Sequence, residues 1–499
     1  MRKSAALLAS AAALATTGAF AADLPSKKAA PVEYVRVCST YGEGFFYIPG
    51  TETCIRIGGR ARYEYEYREA YARDNNQTGS RAVGRIFLDA RTATEYGLLR
   101  AFVRYDVMRR IGTLRSGTSD RVAYAFPGSG VDFAGKAQTT VDINRAFVQL
   151  GGLLAGRSQS YFDFYAGDLE LVGTTAGSSM TTNLLAYTAS FGGGFSATLS
   201  IEDPVERRNL IAGTGATIYG VPYVTPASNA GVGATNYAGS GMPDVVGVLR
   251  VEQGWGVAQL SGAIHQVRTV GVNAVAGVVT SAGGYAAGTE YGFALNAGVK
   301  INLPMIAAGD QLWLQATYTK GATTYVISNP FGWGTNGLAG GGNVGALNVV
   351  DAVINPNGAA GNMQLTTAWG LTAAFLHYWT PSIRQGVFAS YLKTDYSSSV
   401  VAFQNQATAC GTNALISAAF NPCSGYKDST YWTIGSNIIW SPVKDLDIGF
   451  ELDYLHWASN NGPVYSTQRG APTFAGANLG KLVSSDSQIV GRFRIQRDF

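Results

Sequence analysis

A chain of 499 residues carries only 14% charged side chains, and its 37 basic residues nearly balance its 33 acidic ones. This balance excludes the concentrated basic surface of a nucleic-acid-binding protein, so we expect no nucleic acid among its partners. The length would allow about three ordinary domains, yet no charged linker, proline-rich tract or helical block divides the chain.

Glycine and aromatic residues are abundant, with 63 glycines, 27 tyrosines and 22 phenylalanines. Mean hydropathy is nevertheless near zero. After the N-terminal segment no run of about 18 apolar residues is free of charges, so we expect no membrane-spanning helix. A transmembrane β-barrel has this composition, because each of its strands divides its side chains between lipid and water.

The N-terminus resembles an export signal. Arg2 and Lys3 precede a small, apolar run that ends in Ala-Phe-Ala at 19–21, a pattern that signal peptidase accepts. We therefore assign 1–21 to a signal peptide and expect the mature chain to begin near Ala22. Removing two basic residues from 37 leaves 35 against 33 acidic ones, a net charge of +2. An N-terminal membrane anchor is the alternative, although the run is short and rich in alanine.

The four cysteines form two local pairs by spacing, Cys38 with Cys54 and Cys410 with Cys423. In an exported chain an even count favours two disulfides, each stabilising its loop by roughly 3 kcal/mol on the chain-entropy model. Free thiols, a metal site and connectivities that join distant segments remain alternatives.

A period-2 alternation begins directly after Cys54. Tyrosines and small apolar residues in 55–67 alternate with arginine and glutamate over more than ten residues, the length that a tilted membrane strand needs. The segments 81–91 and 99–106 repeat this pattern around a short turn near 95–97, and they predict a hairpin.

The same test predicts 16 strands, an even number as bacterial barrels require. The other thirteen are predicted near 143–151, 152–157, 184–191, 195–203, 244–253, 256–266, 289–301, 310–319, 367–378, 383–394, 430–440, 444–457 and 487–499. Short turns alternate with long loops, which predicts that the turns are periplasmic and the loops extracellular. Five tryptophans near strand ends predict aromatic girdles: Trp313, Trp379, Trp432, Trp440 and Trp457.

The sequence thus predicts an all-β fold, a transmembrane antiparallel β-barrel over 54–499. An N-terminal periplasmic segment, 22–53, precedes it and closes the Cys38–Cys54 loop. The last strand is amphipathic and ends on Phe499, a feature that the barrel-assembly machinery recognises in outer-membrane barrels as a class. Arg497 falls on the apolar face of that strand and is an exception to the pattern, and we expect it to lie at the membrane interface.

Residues 32–59, VEYVRVCSTYGEGFFYIPGTETCIRIGG, resemble the N-terminal signature of the alphaproteobacterial porin family, which includes the Brucella major porins. The YIPGTETC core between the two cysteines is the specific part. The C-terminal FRIQRDF is similar to that family's ending, and Arg497 matches its basic residue. The resemblance covers nearly the whole mature chain and is weakest in the long loops.

This resemblance implies a homotrimer of 16-stranded barrels in the outer membrane of a Gram-negative bacterium. Each barrel would be a passive diffusion channel for small hydrophilic solutes and ions, without enzymatic activity or a cofactor. The implied partners are outer-membrane lipid, lipopolysaccharide and the barrel-assembly machinery. The resemblance also implies that the third long loop, here 158–182, folds into the lumen and narrows it.

A pore without chemistry works through the residues that set its width and electric field at the narrowest point. On the predicted constriction loop these are Asp163, Asp168 and Glu170. On the pore wall we predict a basic cluster of Arg60, Arg62, Arg81, Arg85, Arg100, Arg104 and Arg145. A basic side chain that faced lipid near the membrane midplane would cost about 2–4 kcal/mol, and this cost favours inward placement of the arginines. Alternatively, the arginines only solvate the wall or pair with Glu64, Glu66, Asp89 and Asp106.

Three other functions make different demands on the sequence. A substrate-selective channel would place aromatic residues along the inner wall, and Phe87, Phe102 and Phe147 fall on inward positions. An enzyme embedded in a barrel needs a nucleophile activated by a base, yet His377 and His456 lack a convincing partner. A structural or adhesive surface protein would be either a glycine-rich β-solenoid or a barrel retained mainly as an anchor. A solenoid needs a fixed short repeat, which the sequence lacks.

The glycine spacing at 340–345 matches a dinucleotide-binding loop. No strand–helix context surrounds this stretch, so we interpret it as an external loop.

Overall fold

The computed structural model describes residues 36–69, 77–115, 138–213, 237–269, 288–327, 349–354, 363–401, 427–462, 464–466 and 481–499. The predicted signal peptide, the pair Cys410 and Cys423, and the glycine stretch at 340–345 lie outside these residues. Among the described residues the helices are short, and none has the length and apolar character that crossing a membrane requires.

Sixteen antiparallel strands form one closed sheet, as predicted. They are, in chain order, β1 (Cys54–Arg68), β2 (Thr78–Thr94), β3 (Gly97–Gly112), β4 (Gln138–Leu150), β5 (Leu153–Gln159), β6 (Thr181–Gly192), β7 (Phe195–Glu202), β8 (Asp244–Gln253), β9 (Gly256–Arg268), β10 (Thr289–Asn302), β11 (Gln311–Lys320), β12 (Thr367–Thr380), β13 (Ile383–Asp395), β14 (Ser429–Val443), β15 (Leu446–Ser459) and β16 (Ser485–Asp498). Each strand pairs with the next, and β16 pairs with β1, where Arg60 lies opposite Asp498. The predicted alternation of short turns and long loops is also confirmed.

Several strands extend beyond their predicted ends. The second strand was expected over 81–91, but it spans Thr78–Thr94 because residues without apolar alternation still pair with β3. Two small sheets in the long connections were not predicted. One joins Leu210–Gly213, Val350–Ile354 and Met363–Leu365, and the other pairs Val464–Ser466 with Lys481–Val483.

The side chains of the barrel are arranged with apolar residues outside and polar residues inside. On β1, Tyr63, Tyr65 and Tyr67 are 44%, 45% and 45% exposed, whereas Glu64 and Glu66 are 0% exposed. Exposed leucine, isoleucine and phenylalanine residues continue this outer belt around the sheet. This pattern is the reverse of a soluble protein, and it matches a barrel whose outer face meets hydrocarbon.

The tryptophans divide between the two faces. Trp379 and Trp440 are exposed on the outer surface and Trp432 is marginally so, as a girdle requires. Trp313 and Trp457, however, are buried and share the inward parity of β11 and β15. The girdle prediction for these two residues is wrong, because closeness to a strand end does not determine which face a side chain occupies.

The described part of the N-terminal segment packs at the end of the barrel that carries the short turns. Cys38 and Cys54 form the predicted disulfide, and the short strand Phe46–Tyr47 pairs with the start of β1. The guanidinium of Arg91, near the turn after β2, lies 4.8 Å from the centre of the Phe45 ring.

The C-terminal residue completes the pairing of β16 with β1. Phe499 donates its N–H to the carbonyl of Gly59 at 3.1 Å and accepts the Gly59 N–H at 2.9 Å. Its ring lies against the same glycine, because a Cβ added at Gly59 would be 2.5 Å from the ring Cζ and 2.5 Å from the Arg85 carbonyl. The absence of a side chain at Gly59 therefore allows the last residue to close the barrel.

We expect Gly59→Val to weaken closure, since overpacking at a tight contact costs about 1–3 kcal/mol. The measurement is the denaturant concentration at which half of the refolded protein is unfolded. The folded fraction is read from the heat-dependent shift of the band on gels. Gly84→Val is the matched control, because a Cβ at Gly84 meets nothing within 4 Å. Equal midpoints for the two variants would contradict this account of the closing contact.

Candidate functional site

The third long connection, 160–180, joins β5 to β6 and is held by inward-facing side chains on the opposite part of the barrel. Glu451 on β15 accepts the backbone N–H groups of Leu171 at 2.6 Å and Val172 at 2.5 Å. Arg492 and Arg494 on β16 each donate to the Leu171 carbonyl at 2.6 Å. Charged side chains thus bind both the N–H and the carbonyl of Leu171. Charged groups form stronger hydrogen bonds than neutral ones.

Six further strands contact the same segment through polar side chains. Their donors and acceptors include Glu202 on β7, Gln259 on β9, Gln315 on β11, Thr372 on β12, Ser390 on β13 and Asn437 on β14. The hydrogen bonds of these side chains to the backbone of the segment range from 2.6 Å to 3.3 Å. Because eight strands in all bind it, the segment has a defined position relative to the wall.

Asp163, predicted to face the pore, is turned into the segment itself. Its carboxylate accepts hydrogen bonds from Ser178 and from the Met180 N–H, the latter at 2.7 Å, and lies 3.4 Å from the guanidinium of Arg207. Its side chain is only 2% exposed. The geometry makes Asp163 an internal anchor that fixes the two ends of the segment together.

Glu170 and Asp168 have different surroundings. Glu170 is buried and accepts the N–H groups of Thr174 at 2.5 Å and Thr175 at 3.2 Å. Burial raises the pKa of Glu170 to about 7, against the opposing effect of these hydrogen bonds. Asp168 keeps an exposed face, but partial desolvation raises its pKa to about 6, although the ammonium of Lys300 opposes this shift.

One cavity brings predicted acids and bases together. It measures about 260 Å³ and is lined by Asp168 and Glu170 from the segment and by Arg60 and Arg62 from β1. Three further charged residues, which the sequence did not assign to the site, also line the cavity: Arg384, Asp447 and Arg494. Arg384 binds Asp447 through both guanidinium nitrogens, at 3.2 Å and 2.6 Å. The inward alternation of β16 already indicated the face of Arg494, but nothing local in the sequence indicated its partner.

The predicted wall arginines all lie on β1–β4, and most have acidic partners. Arg60 pairs with Asp498, Arg81 with Glu64, Arg85 with Asp106, and Arg100 with Asp89. Arg62 donates to Gln496 at 3.0 Å and lies 3.8 Å from Glu64. Pairing with acids on the wall, the alternative weighed from the sequence, therefore describes most of these side chains.

Arg104 and Arg145 differ from the others. They lie opposite each other on β3 and β4, and they donate to the amide oxygens of Asn144 and Gln159. Neither has a carboxylate within 4.0 Å among the described residues. Their positive charges are consequently the least compensated of the predicted cluster.

The histidines have partners that the sequence did not indicate. His456 Nδ1 lies 2.9 Å from the Ser487 hydroxyl, and His377 Nδ1 lies 2.7 Å from Asp310. The His456–Ser487 pair shares the outward parity of its strands and lies beside Trp432. It faces away from the lumen and the cavity.

Known proteins are similar to this chain in sequence and in fold. The profile of the family described as "Porin subfamily" matches residues 23–478. Porin Omp2b of Brucella suis biovar 1 and of Brucella abortus strain 2308 are each 33% identical over 258 residues, which is 50% of this chain and 62% of the relative. The match therefore spans less than two thirds of the length of these relatives.

A solved structure is similar in fold over most of the chain. The outer membrane channel DcaP of Acinetobacter baumannii superposes with a TM-score of 0.53 and covers 91% of this chain and 99% of its own. Its sequence identity of 12% makes this a likeness of fold alone.

We expect Glu451→Ala to release the segment from the wall. It would leave the buried N–H groups of Leu171 and Val172 without their acceptor, at a cost of about 1–3 kcal/mol for each unpaired group. Hydrogen exchange followed by mass spectrometry should show exchange in 160–180 that is faster by about tenfold or more. Glu252→Ala, which removes an exposed carboxylate at a short turn, is the control. Unchanged exchange in the Glu451 variant would contradict the assigned anchor.

Proposed function

The chain belongs to the porin subfamily, and we therefore propose that it forms a water-filled channel for passive diffusion of small hydrophilic solutes and ions. It is a multi-pass β-barrel protein of the Gram-negative outer membrane. The observation that carries the proposal is the closed 16-stranded sheet with an apolar outer face and charged side chains inside. Family membership implies a channel rather than an enzyme, and we propose that the chain catalyses no reaction.

We propose that the segment 160–180 crosses the lumen and narrows the pore. Its support is the ring of inward-facing donors and acceptors on eight strands that hold its backbone. A segment bound at so many points gives the pore a constant width. A constant width suits a channel that must exclude large solutes. In this proposal Asp163 and Arg207 shape the segment, and they are not presented to permeating solutes.

The field of the pore would come from charges on opposite sides of the cavity. Asp168 and Glu170 lie on the segment, whereas Arg60 and Arg62 lie on the wall. Opposed charges orient water and polar solutes across the pore, and this raises the barrier for apolar solutes. The remaining predicted arginines, Arg81, Arg85, Arg100, Arg104 and Arg145, would extend the basic wall.

We further propose the assembly that the family resemblance implied. The chain would form a homotrimer in contact with outer-membrane lipid and lipopolysaccharide, after export by the signal peptide 1–21 and insertion by the barrel-assembly machinery. Phe499 would supply the C-terminal assembly signal. The short turns and the segment 22–53 would lie in the periplasm, and Cys410 and Cys423 would form a second disulfide in an external loop.

The test of channel function is conductance across a planar bilayer. Purified folded protein should give ohmic, long-lived openings that close in three steps, one for each barrel of the trimer. A heat-denatured sample of the same preparation is the control. A silent bilayer, obtained with protein that still shows the folded band on gels, would contradict the channel proposal.

The selectivity should depend on pH through Asp168 and Glu170, whose pKa values are raised to about 6 and about 7. Both carboxyl groups are charged above these values and neutral below them. Lowering the pH from 8 to 5 therefore removes negative charge opposite the arginines, and permeability to anions should rise relative to cations.

The reversal potential in a dilute potassium chloride gradient measures this shift, because low ionic strength limits screening. The double variant Asp168→Asn with Glu170→Gln should have the higher anion preference already at pH 8, with a smaller change on acidification. Glu252→Gln, at a short turn outside the cavity, should keep the wild-type pH dependence. A wild-type-sized pH shift in the double variant would assign the titration to other groups.

A further inference from the structure

Three phenylalanines form a continuous row on the inner wall, outside the cavity described above. Phe87 on β2, Phe102 on β3 and Phe147 on β4 have ring centroids 5.9 Å and 5.4 Å apart, and each neighbouring pair is inclined by 22°. Phe87 and Phe102 are half-buried, so part of each ring is accessible. An accessible apolar strip on an otherwise charged wall needs an explanation, because a lumen that only conducts water and ions is better lined by polar groups.

Glycines on the strands at both ends of the row leave space for the rings. A Cβ at Gly58 on β1 would overlap the Phe87 ring, and a Cβ at Gly156 on β5 would overlap the backbone of Phe147. Gly156 also has a φ of +133°, which favours glycine. The row therefore lies close to the wall between two glycines, and the accessible parts of Phe87 and Phe102 are directed to the lumen.

Uncompensated positive charge borders one side of the row. Arg104 lies directly opposite Phe87, and Arg145 lies directly opposite Arg104. Side chains opposite each other on antiparallel strands have Cβ atoms about 5 Å apart. Both guanidinium groups bond to amide oxygens and have no carboxylate partner among the described residues. They are placed to bind an anion beside the rings.

Further guanidinium groups cover the other side. Arg56 lies 5.6 Å from the centre of Phe87, and Arg100 lies 5.1 Å from Phe102 and 5.3 Å from Phe147. Arg100 is paired with Asp89, whereas Arg56 has no ion pair within the described residues. The rings are thus bordered by basic groups on two sides, and the whole patch carries net positive charge.

We propose that this patch is a binding subsite for planar organic anions, specifically aromatic carboxylates, on their path through the pore. The proposal rests on the channel function proposed above. The ring of the solute would stack on Phe87 and Phe102, and its carboxylate would accept hydrogen bonds from Arg104 and Arg145. Inorganic anions lack the flat apolar face, and neutral sugars lack the charge, so the two features together select this class.

Benzoate is the probe, with acetate and cyclohexanecarboxylate as comparisons. In bilayers that hold wild-type channels, benzoate should reduce the potassium chloride current to a saturating extent. Acetate should have little effect at the same concentration, and cyclohexanecarboxylate, which has the charge but not the flat ring, should be intermediate. The double variant Phe87→Leu with Phe102→Leu keeps apolar volume but loses the rings, and it should raise the half-blocking concentration about fivefold.

The charge requirement is tested by Arg104→Gln with Arg145→Gln, which should weaken block by benzoate and by cyclohexanecarboxylate alike. Phe450→Leu, an exposed outward-facing ring on β15, is the matched control and should leave block unchanged. Calorimetric titration of the detergent-solubilised protein with benzoate gives the same comparison without a bilayer.

The outcomes distinguish the two proposals. Silent bilayers without any benzoate overturn the channel function. Normal openings that benzoate and acetate reduce equally, or block that the ring and charge variants leave unchanged, overturn the subsite. Stronger block by a neutral sugar than by benzoate overturns the anionic class of ligand.

Discussion

The hydrogen-bonded seam between β1 and β16 is the contact on which the rest of this structure depends. In hydrocarbon every backbone N–H and carbonyl must find its partner within the protein, and a sheet satisfies this only when its first and last strands pair. Here the pairing runs from Arg60 opposite Asp498 to Arg68 opposite Val490. Closure removes both edges of the sheet, and the alternation of side chains then divides every strand between lipid and lumen.

The same seam positions the segment 160–180. Glu64 and Glu66 on β1 are completely buried, and they pair with Arg494 and Arg492 on β16, respectively. Breaking such a pair leaves an uncompensated buried charge, so the pairs hold the two arginines in place. Because both arginines also donate to the Leu171 carbonyl, the charge network that closes the barrel determines where the segment is bound. Barrel closure and the width of the proposed constriction are thereby coupled.

The sequence predicted the parts of the fold that depend on neighbouring residues. Alternation along each strand and the contrast in connection length were sufficient for the strand number, the antiparallel pairing and the inward direction of the arginines. The same alternation places Trp313 and Trp457 on the inner face, and their closeness to strand ends carries no information about the face.

The anchoring of Leu171 could not be predicted, because its partner Glu451 is 280 residues away. Asp163 likewise has the local character of a pore acid, yet its contact with Arg207 depends on the fold of another long loop.

Pairing also determines what each wall arginine contributes to the electric field of the pore. Arg85 and Arg100 are bound by Asp106 and Asp89, so each forms a dipole whose field decays quickly with distance. Among the described residues Arg104 and Arg145 have only neutral partners, and they retain a net charge that acts over a longer range. A count of basic residues therefore overestimates the electric field at the pore wall. This field is strongest beside the phenylalanine row.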